Sequence, residues 1–299
     1  MKMVYKQESR ARLALLCSMI VFGTIGIFRK YIALPSGFVA MARGLVGALF
    51  LLGVIACHRE KPSRAVIRRN LPLLLLSGVL IGFNWILLFE AYNYTTVAIA
   101  TLCYYMAPTL VILLSPLILR ERLTARGLIA VVLSLCGMVP VSGVLQGGFE
   151  GIHDPRGILL GLGAALLYAC VILCNKKLTD VGAYDKTTVQ LAAAGVVLIP
   201  YTLFFEVLPG QAVFSFDLRS VGMLLTVCVV HTGISYALYF GSMSHIGAQT
   251  VALFSYLDPV LAILLSALLL EEPFDIFAAV GAAMILGAAL IGEWPAKQK

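Results

Sequence analysis

The stretch "CYYMAPTLVILLSPLILRER", residues 103–122, is apolar for most of its length and stops abruptly at Arg120. It carries Pro108 where an uninterrupted helix would need a backbone N–H. The stretch "FSYLDPVLAILLSALLLEEP", residues 254–273, repeats the pattern, with a proline, an apolar run and a terminal acidic residue in the same order. The chain therefore contains two copies of one apolar helix interrupted by proline.

The two copies lie 151 residues apart, which is about half of the chain. At this offset, without gaps, residues 94–124 and 245–275 share 11 identities in 31 positions. Leucine matches are common among membrane helices, so four other pairs are more informative: Tyr105/Tyr256, Pro108/Pro259, Ser115/Ser266 and Glu121/Glu272. We predict an internal duplication, with a first repeat over residues 1–149 and a second over residues 150–299.

The composition assigns the chain to the integral membrane proteins. It is 61% hydrophobic and 12% charged, whereas soluble domains are about half apolar and about a quarter charged. The net charge of +7 lies in short clusters between apolar runs, a topology signal rather than a nucleic-acid surface. We therefore predict the lipid bilayer and a small-molecule substrate as partners, and no nucleic acid. A coupling proton and a homodimer remain open.

Apolar runs of about 20 residues can cross the hydrocarbon core, and they must be helical because lipid offers the backbone no hydrogen-bond partners. We predict an all-α integral membrane protein with ten transmembrane helices. The predicted spans 1 to 10 cover residues 13–34, 35–57, 71–92, 94–119, 124–145, 157–178, 184–207, 218–241, 246–270 and 274–294.

The distribution of basic residues predicts the orientation. With the N-terminus inside, 17 of the 22 Lys and Arg residues lie in inner segments and four in outer loops. This asymmetry predicts a multi-pass protein of the plasma (cytoplasmic) membrane with both termini cytoplasmic. Each half has five spans, an odd number, so the second half is inverted relative to the first. Inverted repeats place a shared site near the midplane between the halves and are typical of alternating access.

Asp258 is an ionisable residue deep inside a predicted span, about 18 Å along span 9. It directly precedes Pro259, which leaves the Ser255 carbonyl without its helical N–H partner. A carboxylate beside a freed carbonyl suits a cation, a proton or an amine. The alternative is that a neighbouring polar side chain holds Asp258 only to brace the kink.

Three further ionisable residues lie within predicted spans. Arg43 could hold an anionic substrate group or could pair with an acid, for which Glu90 is the candidate. Glu90 could instead be solvated near the membrane interface. His231 is either a satisfied interior donor or a proton relay. His231, Ser235 and Tyr239 recur every four residues, so this stripe should face the interior.

Aromatic and amide residues complete the set of candidate cavity residues. A cavity lined by such side chains suits amphipathic or cationic organic solutes, through stacking and cation–π contacts. The additional candidates are Asn84, Trp85, Tyr104, Tyr105, Asn175, Gln190 and Tyr256. Rows of small residues at Gly78 and Gly82 and at Gly157, Gly161 and Ala165 predict close helix packing.

The sequence gives no sign of a cofactor or metal site. The seven cysteines include no Cys-x-x-Cys pair, and Cys170 and Cys174 share a helix face without a nearby histidine. An intramembrane enzyme would need a nucleophile or metal set in the membrane, and no such motif is present. A sensor or scaffold would need a soluble signalling domain, for which the longest connections, 58–70 and 146–156, are too short. We expect no enzyme.

Two long segments carry a family resemblance. "FEAYNYTTVAIATLCYYMAPTLVILLSPLILRERLT" (89–124) and "YFGSMSHIGAQTVALFSYLDPVLAILLSALLLEEPFD" (239–275) resemble the most recognisable segment of the drug/metabolite transporter (DMT) superfamily, in particular its EamA branch. "FGTIGIFRKYI" (22–32), followed by Pro35 and Arg43, is similar to the opening of that repeat. The resemblance covers nearly the whole chain.

The resemblance implies a ten-helix inverted repeat with a central cavity, in whose wall spans 3, 4, 8 and 9 are prominent. It also implies secondary active transport, often outward and by proton coupling or exchange, of substrates such as amino acids, cationic drugs, amines, sugars or nucleotide sugars. We expect export of amino acids or of amphipathic or cationic metabolites. Asp258 departs from the first copy, which has Ala107 at that position, and this asymmetry is where specificity or coupling could lie.

Overall fold

The computed structural model describes residues 2–58, 64–120, 123–143, 145, 154–210, 214–243 and 254–293. In this part of the chain all regular structure is helical. The α-helices are α1 (Lys2–Lys30), α2 (Ser36–His58), α3 (Arg64–Tyr94), α4 (Val97–Tyr104), α5 (Ala107–Ile118), α6 (Ala125–Val141), α7 (Pro155–Lys177), α8 (Ala183–Tyr201), α9 (Leu218–Thr226), α10 (Ser235–Met243), α11 (Leu257–Leu269) and α12 (Ile276–Glu293). Two π-helical segments, Thr202–Val207 and Val227–Ile234, continue α8 and join α9 to α10.

The described helices make the chain a multi-pass membrane protein. Seven stretches are long and apolar enough to cross a membrane: Ser9–Lys30, Ser36–Cys57, Arg64–Tyr94, Val97–Ile118, Pro155–Lys177, Ala183–Val207 and Leu218–Ser242. Three further apolar helices are shorter: Ala125–Val141, Leu257–Leu269 and Ile276–Ile291. They lie within predicted spans 5, 9 and 10, and the start of span 9 falls outside the described residues. That all ten segments cross the membrane stays a prediction.

Span 4 is interrupted near its middle. Helix α4 ends at Tyr104 and α5 begins at Ala107, so Pro108 occupies the second position of α5. Proline is tolerated in a first turn because the N–H it lacks has no intrahelical partner there. Pro259 lies in the first turn of α11 in the same way. Both prolines therefore begin a new helical segment in the middle of a predicted span.

The two broken helices share one backbone conformation at positions 151 residues apart. Tyr105 has φ −71° and ψ 3°, and Tyr256 has φ −74° and ψ −11°. After the second segment, Arg120 and Glu271 both adopt left-handed conformations, with φ 58° and 52°. The sequence repeat is thus matched by the backbone. Glu121 and the predicted boundary between residues 149 and 150 lie outside the described residues.

The most extensive helix contacts join the two halves of the chain. Helix α3 packs on α7 and α8, α2 packs on α8, and α6 packs on α12. Helix α1 packs on α10 and α11. Each half buries much of its apolar surface against the other, so a site between the halves is surrounded by both.

Glycines allow the closest helix contacts. A Cβ on Gly44 would lie 2.6 Å from the backbone nitrogen of Gly195, which brings α2 against α8. A Cβ on Gly78 would lie 2.6 Å from the Gln190 carbonyl oxygen, and one on Gly161 would lie 2.7 Å from the Cβ of Cys103. The prediction that the small-residue rows mark close helix packing is confirmed at Gly78 and Gly161.

Candidate functional site

Asp258 and Tyr105 bring the two broken helices into contact. The Tyr105 hydroxyl lies 3.1 Å from Oδ2 of Asp258, to which it donates a hydrogen bond. It also lies 3.4 Å from the carbonyl oxygen of Ser255. In an uninterrupted helix this carbonyl would accept a hydrogen bond from the N–H of residue 259, which proline lacks. A tyrosine of the first half therefore reaches both polar groups that the sequence analysis associated with Pro259.

Several aromatic side chains surround this contact. The ring of Tyr104 lies 6.2 Å from that of Tyr105 and 5.4 Å from that of Tyr168. The hydroxyl groups of Tyr236 and Tyr239 lie within electrostatic range of Tyr168. We call the group formed by Tyr104, Tyr105, Tyr168, Tyr236, Tyr239 and Asp258 the central crevice. Its members are partly exposed, and Tyr168 is 39% exposed, so the group borders accessible space.

Arg43 lies beside the central crevice. Its side chain is only 5% exposed, and its Nε donates to the Thr232 hydroxyl at 2.8 Å. The guanidinium lies over the ring of Trp85, 4.1 Å from the centroid. It is within electrostatic range of Tyr104 and Asp258. Arg43 and Trp85, from neighbouring spans, are thus brought together as one cation–π pair.

His231 lies in the π-helical segment Val227–Ile234, where the sequence pattern predicts an ordinary α-helix. Its Nε2 is 2.8 Å from the Thr24 hydroxyl, and Nδ1 is 3.3 Å from the Thr226 carbonyl. His231 and Ser235 are fully buried, so the predicted interior orientation is confirmed for these two residues of the stripe, while Tyr239 is half-buried. The Ser235 hydroxyl donates to the Val230 carbonyl of the same span at 2.9 Å, so its hydrogen is used within that span.

Glu90 belongs to a different group from Arg43. It accepts hydrogen bonds from the Ser36 hydroxyl at 2.8 Å and from the Asn93 amide at 3.1 Å. The same Ser36 hydroxyl accepts from Arg29 at 2.8 Å. Glu90 is therefore associated with Arg29 through Ser36, and the hypothesis that Glu90 pairs with Arg43 is wrong.

The predicted amide candidates make contacts between helices. The Asn84 amide donates to the Ala164 carbonyl and joins α3 to α7. The Gln190 amide donates to the Ser77 hydroxyl and to Oδ1 of Asn175, both at 2.7 Å. Tyr256 directly precedes α11. These contacts account for packing, and a role of these residues in solute binding stays a prediction.

Two carboxylates that were not proposed as site residues cap helices of the opposite half. Glu272 accepts from the Val97 N–H at 2.7 Å and forms an ion pair with Lys30 at 3.3 Å. Glu206 accepts from the N–H groups of Gly37 and Phe38 at 2.7 and 2.8 Å, at the start of α2. The identity of Glu272 with Glu121 in the other copy of the repeat could have marked Glu272 as important. Glu206 had none, because its partners lie 169 and 168 residues away.

Asp217 caps the start of α9 just outside the membrane-spanning segment. It accepts from the Ser220 N–H at 2.9 Å, from the Ser215 hydroxyl at 2.7 Å and from the Ser220 hydroxyl at 3.0 Å. These hydrogen bonds, the backbone one first, favour the carboxylate and lower the pKa of Asp217 to about 2. Its role is structural, as expected for an N-cap.

An apolar groove of about 530 Å³ lies between α6 and α12. It is lined by Cys136, Val139, Pro140, Leu145, Ile276, Phe277, Val280 and Met284. None of the predicted site residues contributes to it. Its lining offers almost no polar surface to orient a solute, so the central crevice is the better candidate for a transport site.

Comparison with known proteins agrees with this architecture. The model of the EamA-like transporter family matches residues 9–143 and 155–292, one match in each half. A crystal structure with 18% sequence identity covers 95% of this chain and 96% of its own, with a TM-score of 0.64. That likeness shows that the fold is shared.

Relatives in bacteria extend over almost the same length. The chain is 29% identical to the uncharacterized transporter YxxF of Bacillus subtilis, over 95% of this chain and 90% of the relative. It is 25% identical to the uncharacterized transporter YetK of the same organism, over 96% and 86%. It is 26% identical to Protein RarD of Salmonella typhi, over 87% and 86%.

The family and the names of these relatives indicate a membrane transporter rather than an enzyme. The resemblance to the EamA branch of the DMT superfamily, drawn from the two copies around Pro108 and Pro259, is confirmed across both halves. The chain belongs to the EamA-like transporter family.

Proposed function

We propose that the protein is a secondary active transporter that moves small organic solutes by alternating access at the central crevice. The Tyr105–Asp258 contact between the two broken helices is the observation that carries this proposal. It places an ionisable group where the discontinuities of two helices from different halves meet, beside tyrosines that are partly exposed. Transporters commonly place their sites at discontinuous helices between repeats.

The helix contacts support an inverted-repeat arrangement. We let span n of the first half correspond to span n + 5 of the second, so that α3 in span 3 corresponds to α10 in span 8, and α7 in span 6 corresponds to α1 in span 1. Exchanging the halves then turns the α3–α7 contact into the α1–α10 contact. It likewise turns the α5–α7 contact into the α1–α11 contact, and all four are present. The α2–α8 and α6–α12 contacts map onto themselves. This pairing is expected of two halves related by an approximate two-fold axis.

The remaining parts of the proposal concern topology and transport direction. We place the protein in the plasma membrane with ten spans and both termini in the cytoplasm, since basic residues favour the inner segments. The proposed substrates are amino acids or amphipathic or cationic metabolites, and the proposed direction is export. Asp258 is the proposed coupling group, because a carboxyl group can exchange a proton with whichever side its crevice faces.

The proposed function is tested by solute exchange in proteoliposomes. Vesicles are loaded with an unlabelled solute, and entry of the labelled solute is followed for leucine, 3-methylbutylamine and 4-methylpentanoate, which share one side chain but differ in charge. We expect exchange of at least one probe above the level of protein-free vesicles. We expect Asp217→Asn to retain it, because asparagine also serves as an N-cap. Absence of exchange for all three probes contradicts the proposal.

A further inference from the structure

Arg43 is a buried cation whose terminal Nη nitrogens donate to no group in the part of the protein that the structure describes. Nε donates to the Thr232 hydroxyl at 2.8 Å, and the guanidinium carbon Cζ lies over the Trp85 ring, 4.1 Å from its centroid. Within the described residues, neither Nη atom makes a hydrogen bond to a protein group. Neither is among the enclosed polar atoms without a partner, so both retain accessible surface although the residue is 5% exposed.

Arg29 shows what a structural arginine looks like in this fold. It is also 5% exposed, but both of its Nη atoms donate, to the Ile32 carbonyl at 2.9 Å and to the Ser36 hydroxyl at 2.8 Å. Through Ser36 it is connected to Glu90. Arg43 has the reverse arrangement, with its inner nitrogen fixed and its outer two nitrogens available. The contacts of Arg43 with Trp85 and Thr232 therefore fix the orientation of the guanidinium but leave the hydrogen-bonding capacity of its two Nη atoms unused within the described residues.

No carboxylate neutralises Arg43 by direct contact in the described part of the chain. The ion pairs found there, Lys30–Glu272 and Arg69–Asp180, use other cations. Asp258 is within electrostatic range of Arg43, but its close partner is Tyr105. An unpaired buried charge is costly. A guanidinium with two free Nη atoms is shaped to bind a carboxylate through two parallel hydrogen bonds.

We propose that Arg43 is the binding group for a carboxylate on the transported solute, while the Asp258 carboxylate faces the ammonium group of the same solute. This inference rests on the proposed transport function and narrows its substrates to zwitterions of the amino-acid type. A solute with only an ammonium group would leave Arg43 uncompensated and would be repelled by it. A solute with only a carboxylate would bind Arg43 but would face the like charge of Asp258.

Trp85 provides a direct readout of binding at Arg43. The chain has two tryptophans, and Trp294→Phe leaves Trp85 as the only one, in contact with the guanidinium. Its fluorescence is titrated in purified Trp294→Phe protein with leucine, 3-methylbutylamine and 4-methylpentanoate. None of these probes has an aromatic ring that would interfere. We expect leucine to bind most tightly, 4-methylpentanoate more weakly, and 3-methylbutylamine at least about tenfold more weakly than leucine, since hydrogen bonds to charged groups are the stronger ones.

Variants of the same single-tryptophan protein separate binding from folding. Arg43→Gln should weaken leucine binding by about tenfold or more. Arg43→Lys should weaken it less, because the positive charge remains. Arg69→Gln is the matched control, since Arg69 is exposed and pairs with the exposed Asp180. The comparison of the three probes on the Trp294→Phe protein needs no change at Arg43, so it remains decisive if the Arg43 variants do not fold.

The outcomes distinguish this inference from the transport proposal. Binding of 3-methylbutylamine as tight as that of leucine overturns the inference, as does leucine binding that is unchanged in folded Arg43→Gln. Absence of binding for both carboxylate probes also overturns it. Exchange of 3-methylbutylamine alone in proteoliposomes would keep the transport function and remove the carboxylate site. If no probe is exchanged but the Trp85 fluorescence responds only to the probes with a carboxylate, the carboxylate site is retained and the transport function is contradicted.

Discussion

The Tyr105 hydroxyl and the Asp258 carboxylate, 3.1 Å apart, connect equivalent breaks in two helices that the sequence repeats at an interval of 151 residues. Tyr105 occupies the break of the first copy, and Asp258 directly precedes the proline of the second. One residue of each copy thus contributes to the same polar contact. The asymmetry between the copies, Ala107 in one and Asp258 in the other, supplies the ionisable group of the pair.

Removing the Tyr105 hydroxyl should weaken the contact between the halves. Hydrogen bonds between membrane helices contribute about 0.6–1.7 kcal/mol, so we expect Tyr105→Phe to lower the free energy of unfolding by that amount. Tyr94→Phe is the control, because Tyr94 is 38% exposed and lies under Arg156 through its ring, which phenylalanine keeps. Thermal unfolding of both purified variants provides the comparison. Equal stability of the two would count against the Tyr105–Asp258 bond.

Helix α2 offers a matched pair of glycines for testing the close contact between the halves. Gly44→Ala places a Cβ 2.6 Å from the Gly195 nitrogen and should cost about 1–3 kcal/mol through overpacking. Gly53→Ala meets nothing within 4 Å and should be neutral or stabilising by up to about 1 kcal/mol, because alanine favours the helix. The measurement is the unfolding temperature. A Gly44→Ala protein as stable as Gly53→Ala would show that α2 and α8 are farther apart than described.

Adjacent acidic residues allow a similar comparison at the end of α11. Glu272→Gln removes the charge that pairs with Lys30 and caps the Val97 N–H. Glu271 is exposed, so Glu271→Gln should change stability little. We expect Glu272→Gln to lower the unfolding free energy by about 1–3 kcal/mol, as for a hydrogen bond to a charged group. If Glu272→Gln and Glu271→Gln have the same unfolding free energy when measured in low salt, a structural role for the Lys30–Glu272 ion pair is excluded.

The orientation of the chain is open to a direct test. Basic residues predict cytoplasmic termini. A fluorescent protein that folds only in the cytoplasm, fused after Lys299, should therefore fluoresce in bacterial cells. A periplasm-active reporter at the same position should be inactive. The opposite pair of results would place the C-terminus outside and would contradict ten spans with a cytoplasmic N-terminus.

The sequence predicted those features that depend on local pattern. Apolar run lengths predicted the class of protein, and the pairs Tyr105/Tyr256 and Pro108/Pro259 predicted the duplicated helix break. Asp258 was identified because a carboxylate in an apolar span is costly. Each of these signals can be read from the sequence without knowledge of which helices pack together.

Contacts between distant segments could not be predicted in the same way. Glu90 was the predicted partner of Arg43, but Ser36 and Asn93 donate to its carboxylate, and Arg43 donates to Thr232 instead. The partner of a buried charge depends on which helix faces pack together, and the sequence repeat does not specify this. The π-helical segment containing His231 likewise has no local sequence signal, because its residue types also suit an α-helix.

The most direct test of the account is gradient-driven leucine uptake into proteoliposomes with an interior of about pH 6 and an exterior of about pH 8. If an outgoing proton drives solute in the opposite direction, wild-type vesicles should accumulate labelled leucine above its external concentration. The charged and phenolic groups near Asp258 are those of Arg43, Tyr92, Tyr104, Tyr105 and Tyr168, whereas histidine is the side chain type that ordinarily changes charge in this range. His231→Gln is therefore the control and should retain accumulation.

Asp258→Asn decides the central claim, that Asp258 in the crevice between the two halves couples solute movement to protons. We expect this variant to exchange leucine across the membrane at equal pH, more slowly than the wild type because a neutral amide replaces the carboxylate that faces the ammonium group. We expect no accumulation of leucine in response to the gradient. Accumulation by Asp258→Asn at the wild-type level, or no accumulation by the wild-type protein above that of protein-free vesicles, would contradict the central claim.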